Sequence, residues 1–338
     1  MFPAVIETDV AIIGAGPVGL FAVFECGMLG LRSVVIDSLP EIGGQCTALY
    51  PEKPIYDIPG FPQITAEKLI ENLDTQAQPF KPSYHLNQQI VSLSKNNGFW
   101  KLVSHTGTCF LAKSVIIAAG AGAFGPNRPP LAGIESYEGN SIFYMVRRKA
   151  DMAGQNIVIA GGGDSAVDWA ISLSNIAKSI YIVHRRDKFR AAPENVTTLR
   201  ALAEAGKVHV KVPYQLSGLE GTAPRLTGVR LRHENGDEET IEADILLPFF
   251  GLSPDLGPIS AWGIGQDQHH LIIDSTTGAT NIPGIYGIGD IVTYNNKLKL
   301  ILTGFAEAAQ TAHAIYRDLY PDTPLHMQHS TDKGVPGL

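Results

Sequence analysis

Apolar residues cluster at Val10-Ala11-Ile12-Ile13, break at Gly14-Ala15-Gly16-Pro17-Val18-Gly19, and resume with helical spacing to about Leu29. An apolar run of that length, cut by a glycine turn and followed by a helical stripe, predicts a buried strand, a tight turn and a packed helix. A second strand is predicted at Ser33 to Ile36, followed by a long segment rich in Pro, Tyr and Gly from Leu39 to Pro62. The pattern then predicts a helix near Ala66 to Gln78. A small antiparallel excursion is predicted at Gln89 to Leu93, Phe99 to Ser104 and Thr108 to Ala112, divided by turn signals at Asn96-Asn97-Gly98 and Thr106-Gly107. Ser114 to Ala119 reads as a further buried strand ending in Gly120-Ala121-Gly122, where a domain boundary is placed.

The same grammar then repeats. Asn156 to Ala160 is an apolar strand, Gly161-Gly162-Gly163-Asp164-Ser165-Ala166 a second glycine turn, Val167 to Ala177 a helix and Ser179 to Val183 the next strand. Further strands are predicted at Val208 to Val212, Leu226 to Arg232 and Ile245 to Phe250, and Phe249-Phe250-Gly251 reads as the way back. Thr280 to Asp290 predicts a strand running into Gly289-Asp290, and an Ala-rich helix follows from about Gly304 to Tyr320. The expected fold class is α/β, with two Rossmann-like dinucleotide-binding domains of three-layer ββα build. Expected boundaries are 1–122 for the first part of one domain, 123–250 for an inserted second domain, and 251–338 for the return.

Composition narrows the class. A chain of 338 residues is long enough for two domains that each bury a core, and 44% hydrophobic against 17% charged residues describes a compact protein. The net charge of −7, with no long run of Lys and Arg, argues against nucleic-acid binding. Val10 to Phe24 carry no charge, but Gly and Pro interrupt them and Glu7 and Asp9 precede them, which suits neither a secretory leader nor a membrane span. Cys26, Cys46 and Cys109 lie far apart, as in a reducing compartment, so a cytoplasmic location is expected.

The two glycine turns carry the chemistry. In the first, Gly14 permits the strand-to-helix turn, Gly16 lets the backbone approach a pyrophosphate at the helix start beside Pro17, and Gly19 lets the helix pack on the strand. The strand after it ends in Asp37, a carboxylate suited to a free ribose 2′-hydroxyl and repelled by a 2′-phosphate. The second turn, with Gly161, Gly163, Asp164, Ser165 and Ala166, meets His184-Arg185-Arg186 at the same place, with Lys188 and Arg190 just after. Guanidinium groups there offer charge-assisted bonds to a phosphate dianion. The first turn is therefore expected to hold FAD and the second NADPH, while Gly289-Asp290 supplies a carboxylate for the flavin's ribityl region. His269-His270 has no partner at metal-site spacing, and Ser165 lacks the elbow motif of hydrolases.

The ordered set GAGPVG, GGQ, YPEKPIYDIPGFP, GGGDSA, HRRDKFRA and IYGIGD resembles the thioredoxin/glutathione reductase flavoprotein class. Within it, the chain is similar to ferredoxin–NADP⁺ reductases of the thioredoxin-reductase type, over residues 8 to 331. Ser141 to Gln155 contains no cysteine, and Pro51 stands where a C-x-x-x-x-C pair beginning at Cys46 would end. Electrons then have no disulfide relay to leave by. The resemblance implies that Gln45 and Tyr50 lie at the flavin ring with Tyr50 stacked on one face, that the Ile90 backbone touches adenine, and that Phe124 lies near the flavin. It also implies that His329 covers the other flavin face, reaching over from the second subunit of a homodimer, with Ser330 and Thr331 close by. The implied activity moves electrons between NADPH and ferredoxin, or flavodoxin, by way of FAD. Rival readings are an NAD(P)H-dependent flavin reductase or diaphorase using flavodoxin, quinone or dioxygen, and a flavin-binding redox sensor or interaction module. Arg147-Arg148-Lys149 and Lys297 with Lys299 are candidate docking cations for an acidic partner.

Overall fold

The computed structural model describes residues 5–122, 125–253, 255–323 and 334–335. The chain divides into two units, Met1–Phe124 with Pro254–Leu338, and Gly125–Ser253. The divisions fall at 124/125 and 253/254, against the expected 122/123 and 250/251.

The first unit is built on strand β1 (Val5–Ile13), whose residues from Thr8 onward are all buried. Helix α1 (Pro17–Met28) begins three residues before the expected Leu20, because a proline at the first helical position is pre-set for the turn. Its buried stripe is Gly19, Leu20, Ala22, Val23 and Cys26. Complete burial of Leu20 alone contributes about 1.5–3 kcal/mol. Strand β2 (Ser33–Ile36) pairs parallel with β1, followed by the short helix α2 (Gln45–Ala48), helix α3 (Ala66–Ala77) and strand β3 (Ser83–His85). Thr65 caps α3 by accepting a hydrogen bond from the Lys68 amide at 3.3 Å.

Strands β4 (Ile90–Asn96), β5 (Phe99–Ser104) and β6 (Cys109–Ile117) make the antiparallel excursion. The expected break between Thr108 to Ala112 and Ser114 to Ala119 is absent: β6 is one nine-residue strand. Lys113 does not interrupt it, since its ammonium meets the Asp9 carboxylate at 2.8 Å. The strand also pairs antiparallel with β5 over Cys109 to Ala112 and parallel with β1 along nearly its whole length. The resulting order is β3-β2-β1-β6-β5-β4.

The second unit repeats the opening motif with strand β7 (Asn156–Ala160), helix α4 (Asp164–Leu173) and strand β8 (Ser179–Val183). Helix α4 starts earlier and stops sooner than expected. Ser174 ends it by bonding back to the Ile171 carbonyl at 2.8 Å. Helix α5 (Pro193–Glu204), strand β9 (His209–Lys211), the antiparallel strands β10 (Tyr214–Thr222), β11 (Arg225–His233) and β12 (Glu238–Glu242), and strand β13 (Ile245–Pro248) follow. The parallel sheet runs β9-β8-β7-β13, and the antiparallel one β10-β11-β12. Helix α5 and strands β10 and β12 escape the periodicity reading. Helix α5 buries only Leu199, β10 carries Ser217, Gly218 and Gly221, and β12 is Glu-Glu-Thr-Ile-Glu with only Ile241 buried.

The chain then returns to complete the first sheet with strand β14 (Ile285–Gly287), which pairs parallel with β6. Helix α6 (Ile301–Leu319) packs on α1 so closely that a Cβ on Gly304 would lie 2.3 Å from a Val18 methyl. Among the described residues, no helix is long and apolar enough to cross a membrane.

Candidate functional site

At the first glycine turn three strand ends meet. The Gly14 amide donates to the Ile36 carbonyl at 2.8 Å and the Ala118 amide to the Ile13 carbonyl at 2.8 Å. Gly14 adopts φ +113°, and a Cβ there would lie 2.3 Å from the Ala118 carbonyl oxygen. Gly19 has no room either, since a Cβ would stand 2.0 Å from the Gly14 oxygen. Gly16 is different: a Cβ there would meet nothing within 4 Å. That open space lies in front of an α1 N-terminus with no side-chain cap, an arrangement whose amides and dipole favour an anion.

Asp37 follows directly on β2 and turns its carboxylate into the loop. One oxygen accepts from the Ala15 amide at 2.6 Å and the other from the Leu39 amide at 2.8 Å. Burial pushes its carboxyl above the ordinary value, and these amide bonds offset only part of that. A carboxylate has about four acceptor positions, so capacity remains for a ligand hydroxyl.

Gly14, Gly16, Pro17, Asp37, Gln45, Tyr50, Ile90, Gly289 and Asp290 all line one cavity of about 370 Å³ inside the first unit. Gly19 is off the wall and acts through packing. The cavity's size and mixed lining suit a nucleotide-sized cofactor. Sequence reasoning missed the apolar wall from Leu256, Ile259, Trp262 and Ile301, which carries no motif. Cys46 also lines it, with its thiol 3.9 Å from the Tyr50 hydroxyl, and burial pushes that thiol up to about 11. At neutral pH it is a protonated and unreactive packing group. Burial likewise pushes the Tyr50 phenol far up, so Tyr50 presents a neutral ring and hydroxyl.

Behind Gly289 and Asp290 lies a residue the sequence reading passed over. Glu307, on the buried stripe of α6, accepts from the Gly289 amide at 2.7 Å, from the Tyr294 hydroxyl at 2.7 Å, and from the Lys297 ammonium. The Glu307 and Lys297 side chains are each 4% exposed. The expectation that Lys297 belongs to a docking patch is therefore corrected, because its charge is spent on an interior partner. The available signal was a lone carboxylate on an apolar stripe of Gly304, Ala308, Thr311, Ala312 and Ile315. Lys299 bonds to a ring nitrogen of His270 at 2.6 Å and is exposed.

The second turn copies the first in its backbone. The Gly161 amide donates to the Val183 carbonyl at 2.9 Å, the Phe249 amide to the Ala160 carbonyl at 2.8 Å, and a Cβ on Gly161 would lie 2.6 Å from the Phe249 oxygen. Gly163, like Gly16, faces open space. Ala166 stands where the first turn has its third glycine. His184 is buried, stacked on Phe189 at 5.4 Å and set against Gly162, where a Cβ would collide with the ring. Burial holds its pKa below the ordinary value, and the charges of Arg190, Arg185 and Arg186 push the same way. The Arg190 amide donates to the Gly162 carbonyl at 2.7 Å and the Ala192 amide to the Asp164 carboxylate at 2.9 Å, which ties the cationic loop to the turn. Arg185, Arg186, Arg190 and Ser165 are exposed. Asp164 thus braces the loop. Phe124, His329, Ser330 and Thr331 lie outside the described residues.

Cys26, Cys46 and Cys109 are all free and buried, and among the described residues no group of His, Cys, Asp or Glu could hold a metal ion. The family described as pyridine nucleotide-disulphide oxidoreductase matches residues 8–314. The chain belongs to that family. As a pyridine nucleotide-disulphide oxidoreductase it is 56% identical over 331 residues to the ferredoxin–NADP reductase of Paramagnetospirillum magneticum, covering 98% of each chain. It is 54% identical over 337 residues to that of Rhodospirillum rubrum, again covering 98% of each. Among solved structures, thioredoxin reductase of Lactococcus lactis in its FR conformation superposes with a TM-score of 0.78 at 24% identity, covering 93% of this chain and 99% of that one. T. acidophilum thioredoxin reductase gives 0.78 at 23%, with the same coverage. At these identities the two structures speak for the fold. This family member departs from a dithiol enzyme in having no cysteine within six residues of another.

Proposed function

We propose that this chain moves electrons between NADPH and ferredoxin through FAD, without a redox-active dithiol. The observation that carries the reading is the inverted charge at matched positions: Asp37 after the first turn, and His184-Arg185-Arg186 after the second. The first cavity fits FAD on three counts. There is open space over Gly16 for a pyrophosphate, a buried Asp37 with spare acceptor positions for a ribose, and a second carboxylate at Asp290 with Tyr50 and Gln45 on the wall. Bound FAD supplies hydride acceptance from NADPH and release of electrons one at a time. The protein's part is position and field. The α1 N-terminus and Asp37 would hold the adenosine end, Ile90 the adenine and Asp290 the ribityl region, and the Tyr50 ring would pack on the flavin and exclude water. At the second turn Gly161, Gly163, Ser165 and Ala166 shape the anion cradle, and Arg185, Arg186 and Arg190 select the 2′-phosphate of NADPH.

By resemblance, Phe124, His329, Ser330 and Thr331 complete the flavin surroundings, with His329 supplied by the second subunit of a homodimer. Three unpaired, buried cysteines support a cytoplasmic location. The similarity to ferredoxin–NADP reductases over nearly the whole chain supports the acceptor. The decisive experiment is NADPH-driven cytochrome c reduction with and without ferredoxin. Strong ferredoxin dependence is expected, and a rate independent of ferredoxin rejects the assignment.

A further inference from the structure

The buried ion pair behind the cavity asks for a reason. Taking two charges out of water is expensive, and apolar residues of similar volume would pack α6 as well or better. An apolar pair cannot do one thing that Glu307 does, which is to accept the Gly289 amide hydrogen at 2.7 Å. Gly289 sits at φ +79° and opens the short 3-10 turn Gly289–Ile291, whose Gly289 and Asp290 are both on the cavity wall. The bond fixes the peptide between Ile288 and Gly289, and with it the departure of Asp290 toward the cavity.

The remaining contacts hold the carboxylate itself in place. Tyr294 donates to it at 2.7 Å, and Lys297 donates to the same oxygen while its ammonium lies 5.3 Å from the Tyr294 ring centre. Each of the three donors comes from the segment that leaves the cavity wall, and the acceptor comes from the helix packed on α1. Glu307 is thus a bracket between α6 and the wall, and Lys297 its counter-charge.

We infer that Glu307, balanced by Lys297, is the positioning residue of the Gly289-Asp290 turn and sets how tightly the cavity holds a flavin nucleotide. The inference rests on the reading of that cavity as the FAD site. It is tested with deflavinated full-length protein, by titrating FAD and following flavin fluorescence and the bound-flavin absorption spectrum. Two double variants remove both charges together. Lys297→Met with Glu307→Gln keeps an amide oxygen for the Gly289 amide and is expected to bind FAD within about threefold of wild type. Lys297→Met with Glu307→Leu offers no acceptor and is expected to bind about tenfold more weakly or worse, with an altered spectrum. NADPH affinity, measured on the same samples, reports on the second turn and is expected to stay unchanged in both.

Equal FAD affinity and spectra in the two double variants would overturn the inference. Should the leucine variant not fold, Glu307→Asp keeps the charge pair but draws the carboxylate back by one methylene. Its FAD affinity is expected to fall about tenfold, and wild-type affinity there would equally overturn the bracket. Failure of the wild-type protein to bind FAD is a separate result, and it would overturn the reading of the cavity itself.

Discussion

The two glycine turns are built on one backbone plan and differ in what stands one step past the paired strand. Ile13 pairs with Ile36 in the first and Ala160 with Val183 in the second, so Asp37 and His184 occupy the same register position. Asp37 spends its carboxylate on the loop, accepting from the Ala15 amide. His184 takes a different course. It fills the space over Gly162, the counterpart of Ala15, and leaves two guanidinium groups outside. One scaffold thus presents a buried anion in one copy and exposed cations in the other, and Coulomb's law makes the sign decisive beside a phosphate dianion.

The comparison can be broken first at the glycines. Gly14→Ala places a Cβ against a carbonyl at a left-handed φ, so a loss of about 2 kcal/mol or more is expected, together with the bound flavin. Gly163→Ala meets open space at an ordinary φ, and its melting temperature is expected to stay near wild type. Thermal melts with flavin absorbance check both, and equal destabilisation would break the argument. At the cations, Arg185→Ala with Arg186→Ala should lower kcat/KM for NADPH by about 10–100-fold, given about 1.5–3 kcal/mol for charge-assisted bonds, and leave NADH unaffected. Parallel kinetics with the two nucleotides decide it.

A subtler change sharpens the comparison at its anion. Asp37→Asn keeps the shape but turns an amide donor toward either the Ala15 or the Leu39 amide, so FAD affinity is expected to fall about tenfold while NADPH affinity holds. The smallest effect concerns pH. His184 has a folded pKa below its unfolded value of about 6.5. Its contribution to stability is therefore complete above that value and is lost as pH falls through the lower, folded one. Melts of wild type and His184→Asn from about pH 7.5 down to about pH 5 should diverge at the acid end, with wild type losing more stability. Parallel curves would remove His184 as the cause.

Much of this was legible because the turn chemistry is local. Glycines at 14, 16 and 19, a strand ending in Asp37, and a basic run after Val183 each lie within one βαβ unit, and their spacing is fixed by strand and helix lengths. What was not legible depends on distant pairing. The wall from Leu256, Ile259 and Trp262 reaches the cavity only through the return of the chain, and Glu307 finds Gly289 and Lys297 across two turns and a helix start. Lys297 read as a surface cation because a charged residue between Asn296 and Leu298 gives no sign of an interior partner. Strand β6 reads as two pieces in the sequence, and the Asp9 carboxylate that meets Lys113 within it lies about a hundred residues away.

Strand β14 has a consequence for how the molecule is made. It pairs with β6, yet the intervening stretch contains the entire second unit. A ribosome delivers about 5–20 residues per second, so β6 waits on the order of ten seconds for its last neighbour, and α1 waits longer for α6. During synthesis the inserted unit is complete and able to fold while the first sheet still has an open edge. The cavity, whose wall includes Gly289, Asp290 and Ile301, therefore comes into being only after those residues have been made.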